Sequence, residues 1–508
     1  MDSMPLSRPN VLILFCDQHQ AAVAGFEKHP DIVTPNLDRL AAEGFRFQRA
    51  YCQDAVCVPS RNSFFSGLYP RALGCLDNTD RSELMKEVVS LPAAFQANGY
   101  RTAAFGKRHL YLGCDEGWDI KASHMVKESP ADNYVHWVQA QGYGKAFDQD
   151  WAAEFGRGAE NTPAYDEEIP YAVMSVRESR LPDDKTMEAW TRLRTIDFIR
   201  SQQGQDQPFF CFASFYRPHQ PYTPLSRYYQ RFDRSHWGKG RLAGDGLAMP
   251  ATLRQPIPEL PPLFQEQSIG GNRIWRFDLA RQDEQLYRDS LAAYYALVEE
   301  IDDHVGGIVQ ALEETGQRGN TIIVYASDHG DFVGYHGMIE KCSSGHNVYE
   351  ETLRVPLIFS WPGHISSGGA STGLTELLDV YPSLLELCGL QPPPLKHPLH
   401  GHSLARLLRQ GEEPGRSHLV SENWCQSAII TDRYKLGIWL EPANNKIHDF
   451  RAFGDMLFDR VTDPFETHNL AGKPEQAEIE RGLREHFRAW QGRWTLPERI
   501  PLAGHPGA

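Results

Sequence analysis

Three long apolar runs in this chain each stop abruptly at polar, reactive side chains. Val11 to Cys16 ends at Asp17-Gln18-His19, Phe209 to Tyr216 ends at Arg217-Pro218-His219, and Thr321 to Ala326 ends at Ser327-Asp328-His329-Gly330-Asp331. Unbroken runs of this kind predict strands buried on both faces, as in a parallel sheet, where ligands collect beyond the carboxyl ends. A shorter strand, Thr102 to Phe105, repeats the pattern and runs into Gly106-Lys107-Arg108-His109. Another buried strand is predicted within Arg354-VPLIFSWPG. Taken singly, each polar end also fits an ordinary solvated turn.

Helical spacing fills the gaps between these strands. A proline-initiated helix after Thr34 puts Leu37, Leu40 and Ala41 on one face and stops at Gly44; further helices are predicted from Leu91 to near Gly99, from Met187 to Arg200 and after Asp379. Tyr287 to Thr315 predicts a long helix with a charged outer face, on which Glu299, Glu300, Asp302 and Asp303 read as solvated and not as a metal cluster. Periodicity fades over 121–184, which predicts a loop-rich cap, and over 238–285, a Pro- and Gly-containing stretch predicted to be a surface insertion at the substrate entrance. The proline- and histidine-rich segment from Gln391 to Ser403 reads as a linker. Beyond it come short strands (Ser427 to Thr431, Tyr434 to Leu440, Met456 to Asp459) and a helix from Pro474 to about Gln491.

At 508 residues the chain is too long for one ordinary core and implies a large α/β domain plus a smaller one, or two to three domains. A net charge of −15 argues against nucleic acid as the main partner, and it repels anionic substrates unless a local basic pocket or a metal reverses the field. The nine cysteines are odd in number, scattered and without a C-x-x-C pair, which fits a reducing compartment. No secretory pattern precedes the first strand and no run approaches the roughly 18 apolar residues of a membrane span, so the expectation is a cytoplasmic protein with no membrane partner.

The stretch with the most specific chemistry is Asp54-AVCVPSRNSFFSGLYP. Pro59 disfavours helix for the residue before it and allows a helix to start after Ser60, leaving Cys57 near a helix N-terminus with Arg61 a turn away. A buried structural cysteine is the alternative reading of those residues alone. Cys57-Val58-Pro59-Ser60-Arg61 resembles the maturation motif of the formylglycine-dependent sulfatases of the alkaline phosphatase superfamily, with Ser66-Gly67 where Thr-Gly is usual. Gly106-Lys107-Arg108-His109-Leu110 resembles the same family's G-K-x-H-L signature. The proline-flanked His219, the Ser327 to Asp331 strand end and the phrase Asp455-MLFDRVTDPFETHNLA are similar to its other landmarks.

That resemblance spans nearly the whole chain and implies an α/β fold with a large mixed, mostly parallel sheet sandwiched by helices over 1–395 and a smaller C-terminal α+β subdomain over 396–508. It implies that Cys57 is oxidised by a formylglycine-generating enzyme to an aldehyde, whose hydrate attacks a sulfate monoester of a small molecule or saccharide, passes through a covalent sulfo-enzyme and is restored by hemiacetal cleavage. Asp17, Gln18, Asp328, His329 and the oxidised residue 57 would hold one divalent ion, calcium by family likeness, with magnesium or manganese also compatible with the donors. Lys107 and Arg61 would offset charge on the ester oxygens, His219 and Lys341 would serve the leaving alcohol, His109 would deprotonate the second hydroxyl, and Asn78 would contact substrate. Lys341 lies eight residues before Tyr349, farther than the family usually places it, which implies a short insertion around 343–347. Two other functions remain open at this stage. One is hydrolysis of phosphonate monoesters or phosphodiesters by the same residues, and the other is a non-catalytic anion-binding homologue. The C-terminal tail from Leu496 could reach a neighbouring subunit of a homo-oligomer.

Overall fold

The computed structural model describes residues 8–155, 176–232, 247–255, 284–338, 340–341, 348–423, 426–440 and 454–497. Most of the expected 238–285 insertion, Cys342, Cys425 and the tail from 498 lie outside these residues.

An eight-stranded sheet organises the molecule. In chain order its strands are β1 (Asn10–Asp17), β2 (Phe45–Phe47), β4 (Arg101–Gly106), β5 (Ile120–Ala122), β6 (Phe209–Pro218), β7 (Thr321–Ser327), β8 (Leu357–Ser360) and β9 (Gly369–Ser371). Their spatial order is β5-β4-β6-β1-β7-β8-β2-β9. The five from β5 to β7 are mutually parallel, while β8 runs antiparallel to both neighbours. Two short strands, β3 (Ala50–Tyr51) and β10 (Thr375–Glu376), pair separately. Alternation along a strand explains why the apolar runs are unbroken. Val11, Ile13 and Phe15 enter the core on one face, and Leu12, Leu14 and Cys16 enter the core on the other.

Helices cover both faces. Against the Val11 face pack α2 (Cys57–Ser66), α3 (Leu91–Ala97), α8 (Val380–Leu387) and α9 (Ala405–Gln410). Against the Leu12 face pack α1 (Pro35–Glu43), α4 (Tyr134–Ala140), α5 (Gly144–Phe155), α6 (Met187–Ser201) and α7 (Glu284–Glu314). A four-stranded antiparallel sheet follows, in the order β11 (His418–Asn423), β12 (Gln426–Thr431), β13 (Tyr434–Trp439) and β14 (Met456–Asp459), backed by α10 (Ala477–Arg493) through Leu483, Phe487 and Trp490. Among the described residues no helix is long and apolar enough to cross a membrane. All seven described cysteines are buried and unbridged.

The structure corrects several expectations. Helix α2 begins at Cys57, four residues earlier than predicted. Pro59 sits in the first turn, where the backbone N–H groups have no intrahelical partner, so its missing donor costs nothing. Every residue of α2 is buried, and Phe64 and Phe65 wedge it under the sheet against Phe15 and Phe212; truncating either ring to alanine costs about 3–5 kcal/mol. The helix ends at Gly67, whose φ of 69° is the left-handed stop that glycine adopts without strain.

The segment expected to be a loop-rich cap supplies part of the core, because Tyr134, Val135, Val138, Phe147 and Trp151 on α4 and α5 pack on the sheet. Their spacing is hidden by the polar residues between them. Of the acidic run on α7 only Asp303 is exposed. Glu299, Glu300 and Asp302 are buried, and their oxygens accept hydrogen bonds from Val33 N, from Thr186 Oγ1, and from the N–H groups of Asn36 and Leu37 at the start of α1. Carboxylates at a helix N-terminus satisfy unpaired donors and complement its dipole.

Candidate active site

Four adjacent parallel strands deliver the chemistry to one edge of the sheet. β1 ends at Asp17, β7 is followed by Asp328 and His329, β6 by His219, and β4 by Lys107. The register pairs Cys16 with Ser327 and Asp17 with Pro218, so these ends are level. Gly106 permits the close approach of β4 and β6, since a Cβ there would lie 1.9 Å from Ser214 O. The N-terminus of α2 brings Cys57 to the same place. One ligand atom from each of Asp17, Cys57, Asp328 and His329 lies within 4.8 Å of all the others, and all four residues are buried. Cys57 Sγ is 3.3 Å from His329 Nε2, 3.7 Å from Asp17 Oδ1 and 3.9 Å from Lys107 Nζ.

Arg61, one turn after Cys57, is fully buried behind this cluster. Its Nε donates to Asp328 Oδ2 at 2.7 Å, Nη2 to Asp17 Oδ2 at 3.1 Å, and Nη1 to Lys107 O at 2.9 Å and Ser214 Oγ at 3.0 Å. The planar fork therefore spans both carboxylates and holds them apart at a fixed distance, which a point charge could not do. Its donors are directed at protein acceptors and not at open space. Lys107 also pairs with Asp17 and lies over the Tyr216 ring, 4.7 Å from its centroid. Burial alone would raise the Asp17 pKa, but Lys107 and Arg61 hold it well below the usual carboxylate range. Asp17 is thus an anion ready to bind a cation.

His329 Nδ1 faces Gly330 O at 3.0 Å, which leaves Nε2 turned to the cluster, and burial lowers its pKa. A neutral imidazole held by a backbone carbonyl is the form that ligates metals. Two carboxylates, this imidazole and the position-57 side chain make a donor set of the right charge and hardness for a divalent cation, and the residues present fit one. Gln18 has φ of 72° and stands beside them. Its Oε1 accepts from Lys341 Nζ at 2.6 Å, and its Nε2 donates to Asp331 Oδ2 at 2.6 Å and Gln220 Oε1 at 3.1 Å.

The structure puts Lys341 inside the site despite its unusual spacing from Tyr349; 342–347, where the extra residues were expected, lies outside the described residues. Lys341 Nζ is 3.2 Å from His219 Nε2, while His219 Nδ1 faces Gln220 O at 2.8 Å. His219 is held neutral, its pKa pushed well down by burial and by Lys341. His109 is half-buried and neutral, its pKa lowered by desolvation and then by Lys107 and Arg61, and its Nδ1 has no hydrogen-bond partner among the described residues.

Asn78 does not join this group as a free side chain. Its Oδ1 accepts from Val58 N at 3.0 Å, so it caps the first turn of α2 next to Cys57. Conversely, sequence reasoning gave no role to Asp331, Tyr222, Gln220 and Arg217. Asp331 Oδ2 takes both Gln18 Nε2 and the Tyr222 hydroxyl (3.0 Å). Arg217 binds His219 O at 3.2 Å, Pro221 O and Thr223 Oγ1, fixing the loop that carries His219. The one sequence signal for Asp331 is its place in the polar strand end Ser327-Asp328-His329-Gly330-Asp331.

With this geometry in place, comparison with known proteins is consistent. The sulfatase family model matches residues 9–390, and the model for the C-terminal part of N-sulphoglucosamine sulphohydrolase matches residues 334–492. The chain belongs to the sulfatase family. It is 27% identical over 538 residues to the multifunctional alkaline phosphatase superfamily protein PehA of Trinickia caryophylli, covering 96% of each chain. It is 26% identical to an arylsulfatase of Clostridium perfringens, covering 93% of this chain and 92% of the relative. In fold it is similar to the phosphonate monoester hydrolase of Agrobacterium radiobacter, with a TM-score of 0.75 at 24% identity over 98% of this chain and 97% of that one.

Proposed function

We propose that this protein hydrolyses sulfate monoesters, using a formylglycine made from Cys57 and one divalent cation, calcium by family likeness. The observation that carries this reading is the convergence of Asp17, Cys57, Asp328 and His329 within 4.8 Å. Cys57 is poorly suited to act as a thiolate, because burial and the Asp17 charge push its thiol up to about 11. It is well suited as a precursor. Hydrated, the aldehyde would supply one hydroxyl as nucleophile and a second whose deprotonation lets the anion leave. Held by Asp17, Gln18, Asp328, His329 and side chain 57, the cation would add positive charge against the ester oxygens.

The remaining work falls to the chain itself. Lys107 and Lys341 are the ammonium groups that face the site, and both are kept protonated: burial opposes the charge, while the Asp17 carboxylate favours it. Together they bind and orient a sulfuryl group. Arg61 keeps the two carboxylates in position. The Lys341–His219 pair holds a proton at 3.2 Å and delivers it to the departing alcohol. His109, neutral and with Nδ1 unpartnered among the described residues, is the base for the second hydroxyl.

Phosphonate monoester or phosphodiester hydrolysis is a second reading, favoured by the likeness to the PehA protein, which is described as multifunctional. Side-by-side kcat/KM values for an aryl sulfate and a phenyl phosphonate ester decide between them. A higher sulfate value supports the assignment, and a dominant phosphonate value transfers it to the second reading. Maturation by a formylglycine-generating enzyme and a small-molecule or saccharide ester as substrate follow from the same proposal.

A further inference from the structure

Of the consecutive basic residues Lys107, Arg108 and His109 that follow β4, Arg108 is the one whose side chain is bound away from the cluster around Cys57. It is 2% exposed, and each nitrogen of its guanidinium meets an acceptor between residues 115 and 129. Nε donates to Asp115 Oδ1 at 2.9 Å, Nη1 to Ser129 Oγ at 3.0 Å, and Nη2 to Glu128 O. The backbone joins in, since Arg108 N donates to Glu128 Oε2 at 3.1 Å, an oxygen that the Ser123 hydroxyl also holds at 2.6 Å. Glu128 therefore grips the same residue twice, and a planar fork with separate acceptors fixes its orientation as one contact could not.

The opposite side of this loop is held from α2. Arg61 Nη1 donates to Lys107 O at 2.9 Å and to Arg108 O at 3.5 Å, while Asn62 Oδ1 accepts Tyr111 N at 3.1 Å. Between these two sets of contacts sits His109, with a φ of 54°. A residue with a Cβ keeps that left-handed conformation only where its surroundings over-determine it. The His109 Nδ1 has no partner among the described residues, and the ring meets Tyr111 edge-on at 6.3 Å. With no hydrogen bond at Nδ1 to direct it, the imidazole takes its direction from the backbone. Lys107 is different, because Asp17 holds its ammonium and Ser214 O accepts its N–H at 3.1 Å.

We propose that Arg108 is a positioning residue for His109, setting the direction of the imidazole through the backbone of residues 107–109. The kinetic consequence rests on the reading of His109 as base for the second hydroxyl; the placement of the imidazole does not.

The first test is a pH titration of histidine-labelled protein by NMR, with the His109 signal identified by its loss in His109→Ala. In the wild type that imidazole should stay neutral as pH falls through 6.5, because desolvation, Lys107 and Arg61 disfavour its charge. In Arg108→Gln it should swing towards solvent and titrate near its ordinary value of about 6.5. A titration unchanged by the substitution overturns the proposal.

The second test is kinetic. Arg108→Gln should lower kcat about 10–100-fold, the scale of a group displaced by about 1 Å, with KM falling in proportion. The ratio kcat/KM covers only the steps up to departure of the alcohol, so it should stay within about twofold, with a burst of one alcohol per enzyme. A fall in kcat/KM equal to that in kcat is the signature of general structural damage and overturns the proposal. On the His109→Ala background, Arg108→Gln should change kcat by less than about twofold, and its full effect there likewise overturns it. If Arg108→Gln does not fold, Glu128→Ala carries both tests, since it removes the acceptor of Arg108 N from a half-buried position. A wild type that turns over neither a sulfate nor a phosphonate ester, while the His109 titration moves as expected, refutes the ester-hydrolase reading and upholds the role of Arg108.

Discussion

Asp331 Oδ2 receives the side-chain amide of Gln18 at 2.6 Å and thereby turns the amide oxygen of Gln18 towards Lys341, also at 2.6 Å. An amide has two distinguishable ends, and an anionic acceptor at one of them removes the flipped alternative. Asp331 is itself fixed by Val333 N at 2.7 Å and by Tyr222.

Asp331→Asn should therefore let the Gln18 amide rotate. The expected result is a fall of about 10–100-fold in kcat/KM and in metal affinity, the usual weight of residues that orient a metal's ligands. Metal titration followed by tryptophan fluorescence checks the second effect independently of turnover.

Arg61→Lys keeps the charge but loses the fork that spans Asp17 and Asp328. Breaking one partner of a buried ion pair costs about 3–5 kcal/mol. The melting temperature and the metal affinity should fall together, and calorimetry in the presence and absence of calcium separates them.

Glu350 ties the C-terminal sheet to the core, accepting from the Tyr51 hydroxyl and from Arg460, both at 2.9 Å, with Lys435 at 3.8 Å. Burial would raise its pKa, but Arg460 and Lys435 bring it from 4.5 down to about 2. A depressed carboxylate stabilises the fold fully above its unfolded pKa and loses that contribution as pH falls towards the folded value. The melting-temperature gap between wild type and Glu350→Gln should be widest near neutral pH and shrink steadily below about 4.5. A gap that is constant with pH contradicts the ion-pair role.

Four strand ends were readable from the sequence because a buried parallel strand leaves an unbroken apolar run, and the polar residues after Cys16, Phe105, Tyr216 and Ala326 mark where each run leaves the core. The strands that escaped notice were those with mixed polarity, such as β11 (His418–Asn423), where Glu422 is buried by its pairing with Arg71 and not by hydrophobicity. The same holds for Glu299 to Asp302. A carboxylate that caps a helix in the interior has the composition of a surface residue, and only the three-dimensional partner reveals it. Arg61 illustrates the limit within the site. Its motif announces a cation near Cys57, but its engagement with both Asp17 and Asp328 depends on the pairing of β1 with β7 across about 310 residues.

Removal of divalent metal by chelation should abolish ester hydrolysis and lower the melting temperature, because Asp17 and Asp328 would then face each other with only Arg61 and Lys107 between them. Calcium should restore both. Recovery of activity by magnesium or manganese but not by calcium contradicts the assignment of the ion.

The chemistry rests on Cys57 being the precursor of the working residue. Cys57→Ala should keep the fold, by circular dichroism, and lose at least about 10³ in kcat, as removal of a nucleophile does. The most direct measurement is the mass of the peptide that carries residue 57, taken from enzyme that is turning over. A peptide in which oxygen has replaced sulfur with loss of two hydrogens is the expected result, and full activity from protein that carries only the thiol contradicts it.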